Sequence, residues 1–238
     1  MAIARTLALL ALAVAPAAFA YRPFDHTDAS VAPQREVELE LGPVGFLDLG
    51  GQLQYAPRLI ANYGAAKGSE IVFESSYHLT LGQSAAPRFS VSGVQLSLKH
   101  VFRPGLLQQE AGPSVAVEFG VLLPGYHDDE GWGGSCTGIA SVGAGPVLLH
   151  LNLGAALERN GHLSLEPALI AEGPRQWAVR PVAEALWSHE WDGADVASVL
   201  AGAIWPFRED LVFDAALRAG RAEGSRLLEA RGGVTWSF

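Results

Sequence analysis

The sequence predicts an all-β chain: a transmembrane, antiparallel, up-and-down β-barrel of about 12 strands. Three observations predict it. The chain closes on Gly-Val-Thr-Trp-Ser-Phe, where Leu228, Ala230, Gly232, Val234, Trp236 and Phe238 form an alternating apolar stripe that ends on an aromatic. It opens on an export leader. Between these ends, apolar and polar residues alternate with a period of two, which separates two faces in a strand and would scatter charge around a helix.

Residues 1–20 carry Arg5, an apolar run from Leu7 to Ala15, and small residues at Ala18 and Ala20. The run is too short to span a bilayer and reads as a signal peptide cut before Tyr21. Its removal leaves 15 basic against 25 acidic residues, a formal charge of −10, and Lys67 and Lys99 are the only lysines. A surface this acidic has no electrostatic footprint for nucleic acid. Cys136 is the only cysteine, so no internal disulfide can form. A closed ring of backbone hydrogen bonds would hold such an exported chain together instead.

The segment 21–34 (YRPFDHTDASVAPQ) has aromatics, prolines and charge but no period. It reads either as a loose periplasmic tail or as a plug in the barrel, with Arg22, Phe24, Asp25 and Asp28 as the residues that would do the plugging. The barrel proper is expected over 35–238.

Strands are expected at 36–42, 52–63, 69–80, 88–103, 114–123, 134–143, 147–158, 161–172, 178–191, 195–205, 211–221 and 226–238. In the first, Val37, Leu39 and Leu41 oppose Glu36, Glu38 and Glu40. Farther along, Val115, Val117, Phe119 and Val121 oppose Ser114, Ala116, Glu118 and Gly120, and Phe213, Ala215 and Leu217 oppose Asp214 and Arg218. The parity slips near Gly93, which predicts a β-bulge. Turn-rich segments such as Gly143–Pro146, Asp192–Ala194 and Glu223–Ser225 join neighbours as hairpins. With the amino terminus periplasmic, the outer loops fall at 43–51, 81–87, 124–133, 159–160, 192–194 and 222–225. Tyr55, Tyr63, Tyr77, Trp187, Trp191, Trp205, Trp236 and Phe238 sit near strand ends, as interfacial girdles require. A soluble sandwich or lipocalin-like barrel also alternates, but would need a very large core.

Several phrases resemble a known family: RPFDHTDA (Arg22–Ala29), LGPVGF (Leu41–Phe46), NYG (Asn62–Gly64), LKHV (Leu98–Val101), GPS (Gly112–Ser114), EFGVLLPG (Glu118–Gly125) and RPVAE (Arg180–Glu184). The family is one of outer-membrane transporters loosely grouped with proteins found beside phenol meta-pathway genes. The resemblance implies an outer-membrane barrel with a transport role. It implies no catalytic residues and no substrate.

The register assigns to the lumen Glu70, Glu74, Glu118, Glu166, Glu184 and Asp214 against Arg58, Lys99, Arg180, Arg218 and Arg231. An acidic lumen repels anions and concentrates cations, unless these groups pair across strands and merely pack a narrow interior. Twelve strands lie between barrels filled by side chains and barrels with an aqueous channel. His162 and Ser164 share a strand face at base–nucleophile spacing, but continue into Leu165-Glu166-Pro167 and face away from lipid, so no catalytic residues are assigned. Tyr126–Glu130 bunches oxygen and imidazole ligands that could take a divalent cation or the lipopolysaccharide cation layer, but it lacks EF-hand spacing and reads better as a solvated acidic loop, and neither metal nor cofactor is expected.

The expected function is passive conduction or uptake of small non-anionic solutes, apolar or aromatic ones by resemblance. The alternative is an occluded structural or interaction barrel, and a third reading is a lipid-modifying enzyme. Expected partners are membrane lipid, lipopolysaccharide, and the barrel-assembly machinery through Phe238, with the chain a monomer in the outer membrane.

Overall fold

The computed structural model describes residues 22–82, 89–128 and 130–238. The expected leader and Tyr21 lie outside the described residues, as do Asp129 and most of the loop expected at 81–87. The strands are β1 Val37–Leu49, β2 Gln52–Tyr55, β3 Arg58–Ala66, β4 Ser69–Thr80, β5 Phe89–Arg103, β6 Ser114–Leu122, β7 Gly133–Ala144, β8 Val147–Leu157, β9 Leu163–Glu172, β10 Arg180–Glu190, β11 Asp195–Arg208, β12 Leu211–Ala222 and β13 Ser225–Ser237.

Each strand pairs antiparallel with its neighbours, and β13 returns to β1 from Glu38↔Ser237 to Leu49↔Leu227, which closes the sheet. Both β2 and β3 lie between β1 and β4. They are two halves of one stave, interrupted at Ala56–Pro57 where proline has no N–H to donate, so the closed barrel has 12 strands. Closure leaves no edge strand.

Of five register shifts among the described strands, two bear on the sequence reading. On β5, register jumps from Glu74↔Gln95 to Ser76↔Ser92, with Gly93 in the left-handed region at φ 61°, where the sequence expects it. On β1, register jumps from Leu41↔Val234 to Val44↔Gly232. The sequence reading ends this strand at residue 42 and places a loop over 43–51. The structure corrects this: the bulge absorbs the proline, the strand runs on to Leu49, and only a tight turn at Gly50–Gly51 remains.

Outward faces are apolar, with Leu98, Phe119, Leu151, Leu153, Val199 and Leu217 exposed. Aromatics ring both ends. Trp205, Phe207, Phe213, Trp236 and Phe238 crowd the end that carries the chain termini, and Phe46, Tyr55, Tyr77, Phe89, Trp187 and Trp191 ring the far end. This is the outer surface of a barrel built for a bilayer.

Residues 22–34 enter from the terminal end and fill the middle of the lumen. Phe24 packs among Ile170, Val182, Leu200, Ile204, Val212 and Ala216, and Ala29 packs with Val101, Leu107, Ala116, Ile139 and Leu148.

Candidate functional site: a lumen occupied by its own chain

The segment 22–34 has no strand to pair with, so its buried main-chain groups need partners from the wall. Inward carboxylates and hydroxyls accept its N–H groups. Glu40 Oε2 takes the Arg22 N–H at 3.0 Å, Glu184 takes those of Asp25 and His26 at 2.8 and 3.0 Å, Ser141 Oγ takes that of Ala29 at 3.0 Å, and Glu70 Oε2 takes that of Ala32 at 2.6 Å. Inward donors serve the carbonyls. Arg231 Nη1 reaches Pro23 O at 2.9 Å, Arg58 Nη1 reaches Phe24 O at 3.4 Å, Asn152 Nδ2 reaches Thr27 O at 2.9 Å, and Gln108 Nε2 reaches Ala29 O at 2.8 Å.

The side chains are held as tightly. Arg22, 3% exposed, binds Asp214 at 3.3 Å. A Cβ on inward Gly42 would lie 2.2 Å from its guanidinium, and one on Gly64 would lie 1.9 Å from the Pro33 carbonyl oxygen. The missing side chains at these two positions make room for the segment.

Three guanidiniums converge on the Asp25 carboxylate: Arg231 at 2.7 Å, Arg218 at 3.2 Å and Arg58 at 3.5 Å. Burial pushes this carboxyl up, but the three arginines outweigh it and hold it well below the usual range. His26 meets Glu184 at 3.2 Å and Glu166 at 3.9 Å. Burial pushes the imidazole down, and the Glu184 hydrogen bond with the nearby charges of Glu166, Glu184 and Asp25 raises it overall.

The lumen candidates therefore divide by what they touch. Glu70, Glu166, Glu184, Asp214, Arg58, Lys99, Arg218 and Arg231 contact the segment directly, Glu166 through His26 at 3.9 Å and Lys99 through Thr27 Oγ1 at 3.0 Å. Glu74 pairs with Arg58 at 3.3 Å, and Arg180 pairs with Glu172 at 3.1 Å, within the wall. Glu118 and Glu166, with Glu158, line a cavity of about 270 Å³ on the far side, whose floor is Phe24 to Thr27. A second cavity of about 260 Å³ lies beside Arg22, Arg58, Arg218 and Arg231. Arg22 and Phe24 are enclosed by the wall, Asp25 borders the far cavity, and Asp28 turns back to accept the Ser30 N–H at 2.8 Å.

Sequence reasoning missed His26, Thr27, Ser141 and Asn152 as partners in this assembly. The inward glycines at 42 and 64 were the available signal, since an inward position with no side chain in a charged lumen marks a close neighbour. His162 and Ser164 engage different carboxylates, Glu190 at 3.0 Å and Glu158 at 2.5 Å, and do not make a base–nucleophile pair.

No family profile matches the chain, and no curated protein matches it by sequence. Solved structures do match. An outer-membrane channel from Pseudomonas putida F1 superposes with TM-score 0.65 at 11% identity, over 90% of this chain and 100% of that one. The KdgM porin superposes with TM-score 0.54 at 10% identity, over 85% of this chain and 99% of that one, and its complex with disordered oligogalacturonate gives TM-score 0.53 at 13% identity. At such identities the likeness is one of architecture, and the architecture is that of the outer-membrane β-barrel channels.

Proposed function

We propose that this chain is an outer-membrane channel for passive uptake of small non-anionic solutes, with residues 22–34 as a plug standing in its path. One observation carries the reading. The middle of the lumen is filled by a continuous segment that leads into β1 and is held by hydrogen bonds, ion pairs and two apolar contacts rather than by strand pairing, so it can withdraw without unpairing a strand. A permanently occluded scaffold would be expected to close with wall side chains instead.

The solute preference follows from the far mouth. Glu118, Glu158 and Glu166 line it against Arg58 and Arg159, and a low-dielectric wall focuses that negative potential on whatever enters. Aromatic solutes belong to this proposal through the sequence resemblance alone. The same reading places the chain as a monomer in the outer membrane, with the far-end loops toward lipopolysaccharide and Phe238 presented to the barrel-assembly machinery.

Planar-bilayer recordings of the mature chain and of a variant lacking residues 22–34 test it. The expected result is small or intermittent current for the intact chain, larger steady current for the deletion, and permeation of cations over anions that weakens when Glu118, Glu158 and Glu166 become Gln. Absence of ion or solute flux in both proteins would refute transport and leave the occluded scaffold.

A further inference from the structure

The plug does not fill the lumen evenly. Its tip places a ring and a carboxylate, on consecutive residues, into two seats of opposite character. Phe24 is enclosed by Ile170, Val182, Leu200, Ile204, Val212 and Ala216 from β9 to β12. Asp25 lies against Arg231, Arg218 and Arg58, from β13, β12 and β3, at 2.7, 3.2 and 3.5 Å.

Without Asp25, the balance of the second seat changes. Glu229 faces Arg231 at 2.7 Å and Arg218 at 3.5 Å, and Glu74 faces Arg58 at 3.3 Å. Two carboxylates in contact would then answer three guanidiniums that are 6%, 12% and 24% exposed, with Asp214, which loses Arg22 as the segment leaves, the next carboxylate along β12. An uncompensated buried charge is strongly unfavourable, and an oxyanion that accepts several N–H donors is the group that relieves it. The cavity of about 260 Å³ beside Arg22, Arg58, Arg218 and Arg231 offers a way in. It is below the range of drug-sized pockets, which suits a single-ring molecule.

We propose that the seats of Phe24 and Asp25 together form a ligand site for small aromatic carboxylates, which the chain's own plug occupies in this structure. The inference rests on the plug being displaceable, as the channel reading holds. Asp25 acts as a tethered competitor, whose effective concentration is in the millimolar range for a short linker. Inorganic anions and simple carboxylates supply the charge without the ring, so they compete poorly. A molecule that supplies both fills both seats and unseats the plug. The site thus makes the channel responsive to a ligand that its acidic mouth does not favour as a permeant.

The test uses the full mature chain folded in detergent, with sodium benzoate as the probe and sodium acetate and phenol as controls, all at equal ionic strength. In Phe24→Ala/Asp25→Asn, and to a smaller degree in Asp25→Asn, benzoate in tenfold excess over its Kd should raise the unfolding midpoint by about 3–6 °C. Acetate and phenol should do less, and Arg231→Gln added to either variant should abolish the shift. Equal shifts with benzoate and acetate, or no shift with benzoate, overturn the proposal. If the variants do not fold, thiol labelling of Ser30→Cys in a Cys136→Ser background should accelerate at least threefold with benzoate and not with acetate, and an unchanged rate overturns it. These measurements report binding, so they can fail while the bilayer recordings succeed, and the reverse.

Discussion

Glu184 is the wall residue on which plug docking should depend most. Its carboxylate accepts two consecutive main-chain N–H groups, Asp25 at 2.8 Å and His26 at 3.0 Å, and meets the His26 ring at 3.2 Å. Hydrogen bonds to a charged acceptor contribute about 1.5–3 kcal/mol each. In Glu184→Ala, water from the adjoining cavity, which His26 lines, replaces part of that, so the loss in docking free energy should be about 2–4 kcal/mol for the pair. At about 1.4 kcal/mol per factor of ten, the plug should open about 30- to 1,000-fold more often. The measurement is the labelling rate of Ser30→Cys by a water-soluble thiol reagent in a Cys136→Ser background. Ser30 is 6% exposed while docked. The barrel should stay folded and heat-modifiable, because the Glu184 side chain takes no part in the strand ladders. Glu172→Gln, which alters wall pairs with Arg180 and His150 and reaches the plug indirectly through the His150–Ser141 hydrogen bond, should change the rate less than about threefold if the argument is right. A Glu184→Ala rate within threefold of the parent, or an equal acceleration by Glu172→Gln, would refute the reasoning.

Three further outcomes are expected. Deleting Phe238, whose main chain exchanges hydrogen bonds with Val37 at 2.8 and 2.9 Å across the closure, should lower membrane insertion without altering export, and normal levels of heat-modifiable barrel would contradict this. Cysteines at 117 and 213 should react with lipid-soluble reagents while cysteines at 118 and 214 are spared, because Val117 and Phe213 face out and Glu118 and Asp214 face in; the opposite pattern would shift the register by one residue. Plug docking should weaken with rising pH. His26 is raised by Glu184, Glu166 and Asp25, so its contribution is complete below the unfolded value near 6.5 and is lost as pH climbs through the folded one. Ser30→Cys labelling, corrected with a free-thiol control, should accelerate over that range and lose the dependence in His26→Gln.

The charge surplus in the lumen takes on a different meaning once its partners are placed. Glu40, Glu70 and Glu184 accept main-chain N–H groups of the plug, and Asp214 is bound to Arg22. These acids are spent on holding a segment that has no strand to pair with. On the proposed channel reading, the acids left to act on a solute are those of the far cavity, Glu74, Glu118, Glu158 and Glu166.

The amino-acid sequence by itself determined the barrel, the number of staves, the faces of the strands and the bulge at Gly93. Each of these is carried by a pattern within about ten residues, because the pleat assigns every second side chain to one face regardless of what lies opposite. It did not determine the continuation of β1 through Pro43, since a bulge can absorb a residue that would otherwise end a strand. The tertiary structure alone decided where residues 22–34 go and which inward groups meet them. Arg231 and Pro23 touch across 208 positions of chain, and Asp25 and Glu184 across 159. Such contacts depend on which side chains share a height in the lumen, and that height is set by closure and by the stagger of all the staves at once.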